Sequence, residues 1–215
     1  MCNQPDAVAD HAAVERFLAA GQIDRDTWHD GIGYPLEALG TLNAASGELL
    51  ISRLPVKGWR EVEVLAALTT ASARSALRAG FDAAGPARLE IGLALLRWLP
   101  ELLSEAERTD LVCRAIEQAR GGDGLDAALE AAQAWHPAAV MNALWQSLLH
   151  QDATVVVNVA ALLHYLLGLT EAPFDLSRRT DFLRFASDEA GERTAALDQL
   201  RMHMGFDQVC ERPHE

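Results

Sequence analysis

The stretch ATVVVNVAALLHYL, residues 153–166, decides the fold. Taken alone, Val155-Val156-Val157 suits a strand, because β-branched side chains pack well on a pleated sheet. The apolar run continues, however, through Ala160, Ala161, Leu162, Leu163 and Leu166. That is longer than the roughly 4–8 residues of a buried strand, and Ala and Leu lose little entropy in a helix. Asp152, just ahead, is a residue type that caps helices. The segment therefore reads as a buried helix. Composition extends the reading to the whole chain, since 50% of residues are hydrophobic and only 6% aromatic, with Ala and Leu prominent. An all-α fold is expected, with enough apolar material to close a core without disulfides.

The preceding segments repeat the pattern. In GWREVEVLAAL, Trp59, Val62, Leu65 and Ala66 recur at helical spacing, and TTASARSALRAGF places Ala73, Ala76, Leu77 and Gly80 on one face, so the two predict an antiparallel pair. GPARLEIGLALLRWLPELL opens with Gly85 and a first-turn Pro86, carries Leu89, Leu93 and Leu96, and ends near Pro100; being apolar on most sides, it is expected to be central. Ser104 and Glu107 have capping-box spacing before the next helix, which Gly121-Gly122 would stop. LDAALEAAQAWH and PAAVMNALWQSLLHQ form a further pair divided at Pro137.

Short helices joined by very short turns suggest stacked αα-hairpins. PARLEIGLALLRWL, from Pro86, and ATVVVNVAALLHYL, from Ala153, align without gaps: Leu89 falls on Val156, Leu95-Leu96 on Leu162-Leu163, Trp98 on Tyr165 and Leu99 on Leu166. Their offset is close to two helical-hairpin repeats of ~34 residues. Trp135-His136-Pro137 echoes Trp98-Leu99-Pro100 between them. On these residues, 58–169 resembles the HEAT-like repeat proteins of bacteria, in which paired helices stack into a curved solenoid. The flanks GIGYPLEALGTL and PFDLSRRTDFLRF are similar to those of small HEAT-like proteins that serve as immunity partners of bacterial toxins. Arg74, Arg88 and Arg108 do not recur at the fixed interval many HEAT repeats show. The resemblance implies a HEAT-like α-solenoid of stacked antiparallel hairpins. Its parts would be an N-terminal helical cap (1–57), the repeats (58–169), a C-terminal loop and capping helix (170–207) and a flexible tail (208–215), together one compact unit. In the tail segment Asp188 and Glu189 favour a helix start, Leu197, Leu200 and Met204 form a stripe, and Gly205-Phe206 make a stop.

Charge narrows the function. The net charge is −13, and residues 121–174 contain Asp123, Asp126, Glu130, Asp152 and Glu171 but no Lys or Arg. Nucleic-acid binding normally needs clustered cations, so it is disfavoured, and a protein with a basic surface is the complementary partner. Asp123, Asp126, Glu130 and Asp152 are the candidate contacts, with Trp135 and Trp145 as anchors because they lie in the same acidic segment. The plain alternatives are a solvated face for the acids and packing between repeats for the tryptophans. The resemblance makes the reading more concrete: a non-enzymatic immunity protein that occludes a basic toxin surface.

Catalytic readings find little context. WHDGIGYPLEALGTL, residues 28–42, looks like a ligand loop, but GIGYPL lacks the third glycine and the preceding strand of a dinucleotide site. Gly31 and Gly33 more simply permit a tight turn, with Pro35 starting a helix on which Leu36, Leu39 and Leu42 pack. The seven histidines show no zinc-protease spacing, and no metal or cofactor is expected. His164 and Asn158 read as satisfied polar residues in an apolar helix, and His150 as a local partner of Asp152. No GxSxG elbow and no catalytic cysteine signature is present. The enzymatic rival is a HEAT-like DNA glycosylase, with Trp98, Trp135, Trp145 and Tyr165 as stacking surfaces. It would need a basic groove, whereas the arginines of residues 58–120 are matched by acids through the same helices. A scaffold for a cellular protein is the third reading. Cys2, Cys113 and Cys210 have no disulfide or zinc spacing, the first twenty residues show no secretion signal, and no run reaches the roughly 20 apolar residues of a membrane span, so a cytoplasmic protein with reduced thiols is expected.

Overall fold

A computed structural model describes residues 8–20, 34, 36–119, 124–150 and 152–205. Among them all regular structure is helical, and the contacts divide the chain into two compact units, Met1–Ser104 and Glu105–Glu215. The division falls inside the stretch read as one repeat array.

The first unit contains α1 (His11–Ala20), a 3-10 turn (Leu36–Thr41), α2 (Ala44–Arg53), α3 (Trp59–Leu68), α4 (Ala71–Ala83) and α5 (Arg88–Trp98). Asp10 caps α1 by accepting the Ala13 N–H at 2.9 Å, and its own N–H donates to the buried Ser46 hydroxyl on α2 at 2.8 Å. Asn43 caps α2, and Thr70 caps α4 through the Ala73 N–H at 3.1 Å. At the start of α3 the Glu61 carboxylate turns back to accept the Gly58 N–H at 2.8 Å, and Glu90 of α5 accepts the Trp59 N–H at 3.1 Å. One carboxylate thus ties the beginnings of two packed helices, where the helix dipole favours negative charge.

Periodicity places the faces of α3 and α4 well. Val62, Leu65 and Ala66 are buried on α3, and Ala73 and Leu77 on α4, with Phe81 extending the same stripe. Trp59 departs from its expected inner face and is 44% exposed, because it is the first residue of α3, beyond the reach of the core. On α5 the buried set is Ile91, Gly92, Ala94, Leu95 and Leu96, while Leu89 and Leu93 are half-buried. A helix apolar on most sides carries little contrast, so its neighbours α3 and α4 choose the face. In the 28–42 stretch, residues 28–33 and Pro35 lie outside the described residues. The part beyond them is the 3-10 turn, whose threefold period puts Leu36, Leu39 and Leu42 on one side, with Leu39 buried.

The second unit contains α6 (Glu105–Gln118), α7 (Leu125–Ala134), α8 (Ala138–His150), α9 (Ala153–Leu166), α10 (Arg179–Leu183) and α11 (Ala190–Met204). Residues 153–166 form a helix throughout, and Asp152 caps it by accepting the Val155 N–H at 3.0 Å. Val155, Val156, Val159 and residues 160–163 are buried there, against Leu144 and Leu148 of α8, Leu129 of α7 and Phe182 and Phe185 around α10. A connection of two residues makes α8 and α9 a packed pair, and α6 packs on both α7 and α8, while α7 also packs on α9. α11 buries Ala196 and Leu200, ends at Gly205 with φ 71°, and is held to α8 by Arg193, whose Nη2 donates to the Leu148 carbonyl at 2.9 Å. Phe206 and residues 208–215 lie outside the described residues, as do Gly121 and Gly122.

Two backbone positions give sharp tests. Thr69, between α3 and α4, has φ 55°, a left-handed conformation that costs a β-branched residue roughly 1 kcal/mol or more. Thr69→Gly should therefore raise the urea midpoint without changing its slope. A Cβ on Gly80 would lie 2.5 Å from Val56 Cβ. Gly80→Ala should accordingly destabilise by about 1–3 kcal/mol, in the manner of overpacking, and Val56→Ala in the same chain should restore part of the loss in thermal melts.

Candidate functional site

Of the four acids proposed as partner contacts, Asp123 lies outside the described residues. Asp126 occupies the first turn of α7 and Glu130 stands one turn further along the same helix; both are exposed. Asp152 is exposed and caps α9. Asp126 and Asp152 each stand at the start of a helix, α7 and α9, and these two helices pack on one another. Each stands where an N-terminal dipole favours a carboxylate, which accounts for both without any partner. Asp126 and Glu130 thus share one helix and Asp152 starts a helix packed on it, in a stretch whose sequence has no Lys or Arg.

The tryptophans do not join them. Trp135 follows α7 at its C-terminal end, opposite the end marked by Asp126. It is half-buried, its indole N–H donates to Thr109 Oγ1 at 3.0 Å, and the Arg108 guanidinium lies 4.4 Å from its ring centroid. Packing on α6 therefore accounts for Trp135. Trp145, also half-buried, lines a shallow groove of about 480 Å3 between α8 and α11 with Asn142, Gln146, Leu149, Thr194, Leu197, Asp198 and Arg201. Leu149 is 37% exposed at its floor and was not singled out from the sequence; its spacing of four from Trp145 is the signal that marks it. Among the described residues the indoles with most surface are Trp59 and Trp98, at 44% and 45%, each beside its own arginine, Arg60 or Arg97.

The polar residues of α9 are satisfied locally. Asn158 Nδ2 donates to the Thr154 carbonyl at 2.8 Å, and His164 Nδ1 meets the Ala160 carbonyl at 2.7 Å. A carbonyl only accepts, so Nδ1 carries the proton. The imidazole sits edge-on to Phe182 and Phe185, with ring centroids 5.3 and 5.6 Å away. Burial lowers its pKa from the ordinary 6.5, against smaller raising contributions from the Ala160 bond and Asp181; Arg178 and His203 add to the lowering. The His150 side chain lies outside the described residues. Cys113 is half-buried, and its thiol is pushed up by burial, then by Glu117 and Asp110, the opposite of what a nucleophile needs. Among the described residues no group of three or more His, Cys, Asp or Glu is placed to hold a metal, and no helix is long and apolar enough to cross a membrane.

No family model matches the chain, and neither a curated protein nor a solved structure matches it.

Two measurements separate the structural roles from recognition. Asp152→Ala should cost about 1 kcal/mol of stability through the lost cap, and Asp152→Asn much less. For His164 the folded pKa lies below the unfolded value, so the unfolded chain binds the proton first as pH falls. His164's effect is absent above the unfolded value, and stability falls as pH drops below 6.5 toward the depressed folded pKa. His164→Gln should flatten the dependence of the urea midpoint on pH across that window.

Proposed function

We propose that this chain is a non-enzymatic protein-binding module whose partner presents a basic surface. The observation that supports it is the placement of Asp126, Glu130 and Asp152, three exposed carboxylates on the packed helices α7 and α9, within a segment lacking Lys and Arg. The groove beside Trp145 and Leu149 adds apolar surface on α8 of the same unit, where a partner side chain could anchor. On this reading the helical pairs of each unit are stacked in the HEAT-like manner, and α11 caps the second unit by covering its last apolar face. The immunity role follows from the resemblance of residues 58–169 and their flanks. The protein would act in the cytoplasm, neutralising a toxin by steric and electrostatic block of its basic site, with Asp123 a further contact by its sequence position.

The test is a pull-down from native cells with the whole chain as bait, followed by binding kinetics on whatever single protein is recovered. A basic protein should be retained at low salt and weakened at high salt. Asp126→Lys/Glu130→Lys should weaken it at least about tenfold, chiefly through slower association. Binding indifferent to both salt and charge reversal would overturn the reading.

A further inference from the structure

An enclosed concave site of the second unit is lined by none of Asp126, Glu130 and Asp152. It is a cleft of about 180 Å3 formed by α9, the α10 region and α11, floored by Leu169, Phe185, Ala196 and Leu200. Its polar lining converges from three elements: His164 on α9; Arg178, Asp181 and Arg184 around α10; Gln199 and His203 on α11. An apolar floor under a few convergent polar groups, one of them a histidine with a displaced pKa, is the usual composition of a small-molecule site.

The hydrogen-bonding capacity left over defines what would fit. Arg178 Nε donates to Asp181 at 2.6 Å, and Arg184 Nε forms a looser ion pair with Glu192 at 3.6 Å, so each guanidinium meets its acid through Nε. Among the described residues their Nη groups have no hydrogen-bond partner, and neither do the His203 ring and the Gln199 amide. His164 spends Nδ1 on Ala160, which leaves Nε2 as an acceptor. The lining therefore offers guanidinium N–H groups on one side and a neutral imidazole acceptor on another. Guanidinium edges match the oxygens of carboxylates and phosphates, and an imidazole nitrogen matches a hydroxyl. At roughly 30 Å3 of liquid volume per water, the space suits a molecule displacing about six waters.

We propose that this cleft binds a small hydroxylated organic oxyanion, a hydroxycarboxylate or the phosphate ester of a small alcohol, held by Arg178 and Arg184 with its hydroxyl toward His164. The site is independent of the protein-binding face, because it draws on none of Asp126, Glu130, Asp152 or Trp145.

The experiment is a titration of the whole isotope-labelled chain, following the imidazole signals of His164 and His203 at constant pH. Malate and glycerol 3-phosphate are the two probes, with sodium chloride at matched ionic strength as control. Saturable shifts with one or both probes, and Kd at least tenfold weaker in Arg184→Gln and Arg178→Gln with unchanged circular dichroism, are the expected result. Saturation by malate alone assigns a carboxylate, and by glycerol 3-phosphate alone a phosphate ester. Shifts that sodium chloride reproduces, absence of saturation with either probe, or a Kd indifferent to both substitutions would overturn the proposal. Asp126→Lys/Glu130→Lys should leave this titration unchanged, so its result and that of the pull-down stand or fall separately.

Discussion

Very short connections between successive helices are the constraint on which the rest of this structure depends. Between α8 and α9 only residues 151–152 intervene, and between α3 and α4 only Thr69 and Thr70. A helix leaves four N–H groups and four carbonyls unsatisfied at its ends, and a two-residue turn supplies few partners for them. Side chains meet the need: Asp152 and Thr70 cap the starts, Arg193 reaches the Leu148 carbonyl near the end of α8, and Glu90 serves the N–H of Trp59 on a neighbouring helix. At the end of α3 the backbone yields as well, since Thr69 is left-handed and its N–H donates to the Ala66 carbonyl.

With the turns closed in this way, consecutive helices can pack as hairpins, as α3 does on α4 and α8 on α9. Helix starts favour acids, and Asp126 and Asp152 stand at two such starts. The exposed carboxylates at the starts of α7 and α9 are in this sense a by-product of helix-end chemistry. The interior is filled in the ordinary manner, by Leu144, Leu148, Val159, Leu162 and Leu163 in the second unit and by Leu65, Leu77, Phe81 and Leu95 in the first.

Much of the fold was legible in the sequence because the punctuation was explicit. Asp152, Gly58, Pro86, Pro100, Pro137 and Gly205 each stand at the helix boundary their chemistry implies. The valine run at 155–157 did not mislead, since the apolar stretch is too long for a strand. The face of α5 was not legible, because apolar residues nearly encircle it. The candidate site was less legible than the fold. Local charge singles out Asp126, Glu130 and Asp152 as candidates, but nothing in a one-dimensional pattern shows that Trp135 is bonded to Thr109 and covered by Arg108, residues of the preceding helix. The polar cleft was invisible for the same reason: His164, Arg184 and His203 are separated by two turns and a helix, and only packing brings them around one space.

Asp152 carries a further consequence. It holds the first turn of α9 and is also one of the exposed charges of the second unit. Glu130, in the middle of α7, has no capping role, and Asp126 only complements a dipole. Substitution at Glu130 and Asp126 therefore leaves the helix ends intact, whereas Asp152 can exchange only with other capping residues. The charges of α7 and α9 are thus divided into two that the fold leaves free to vary and one that it retains.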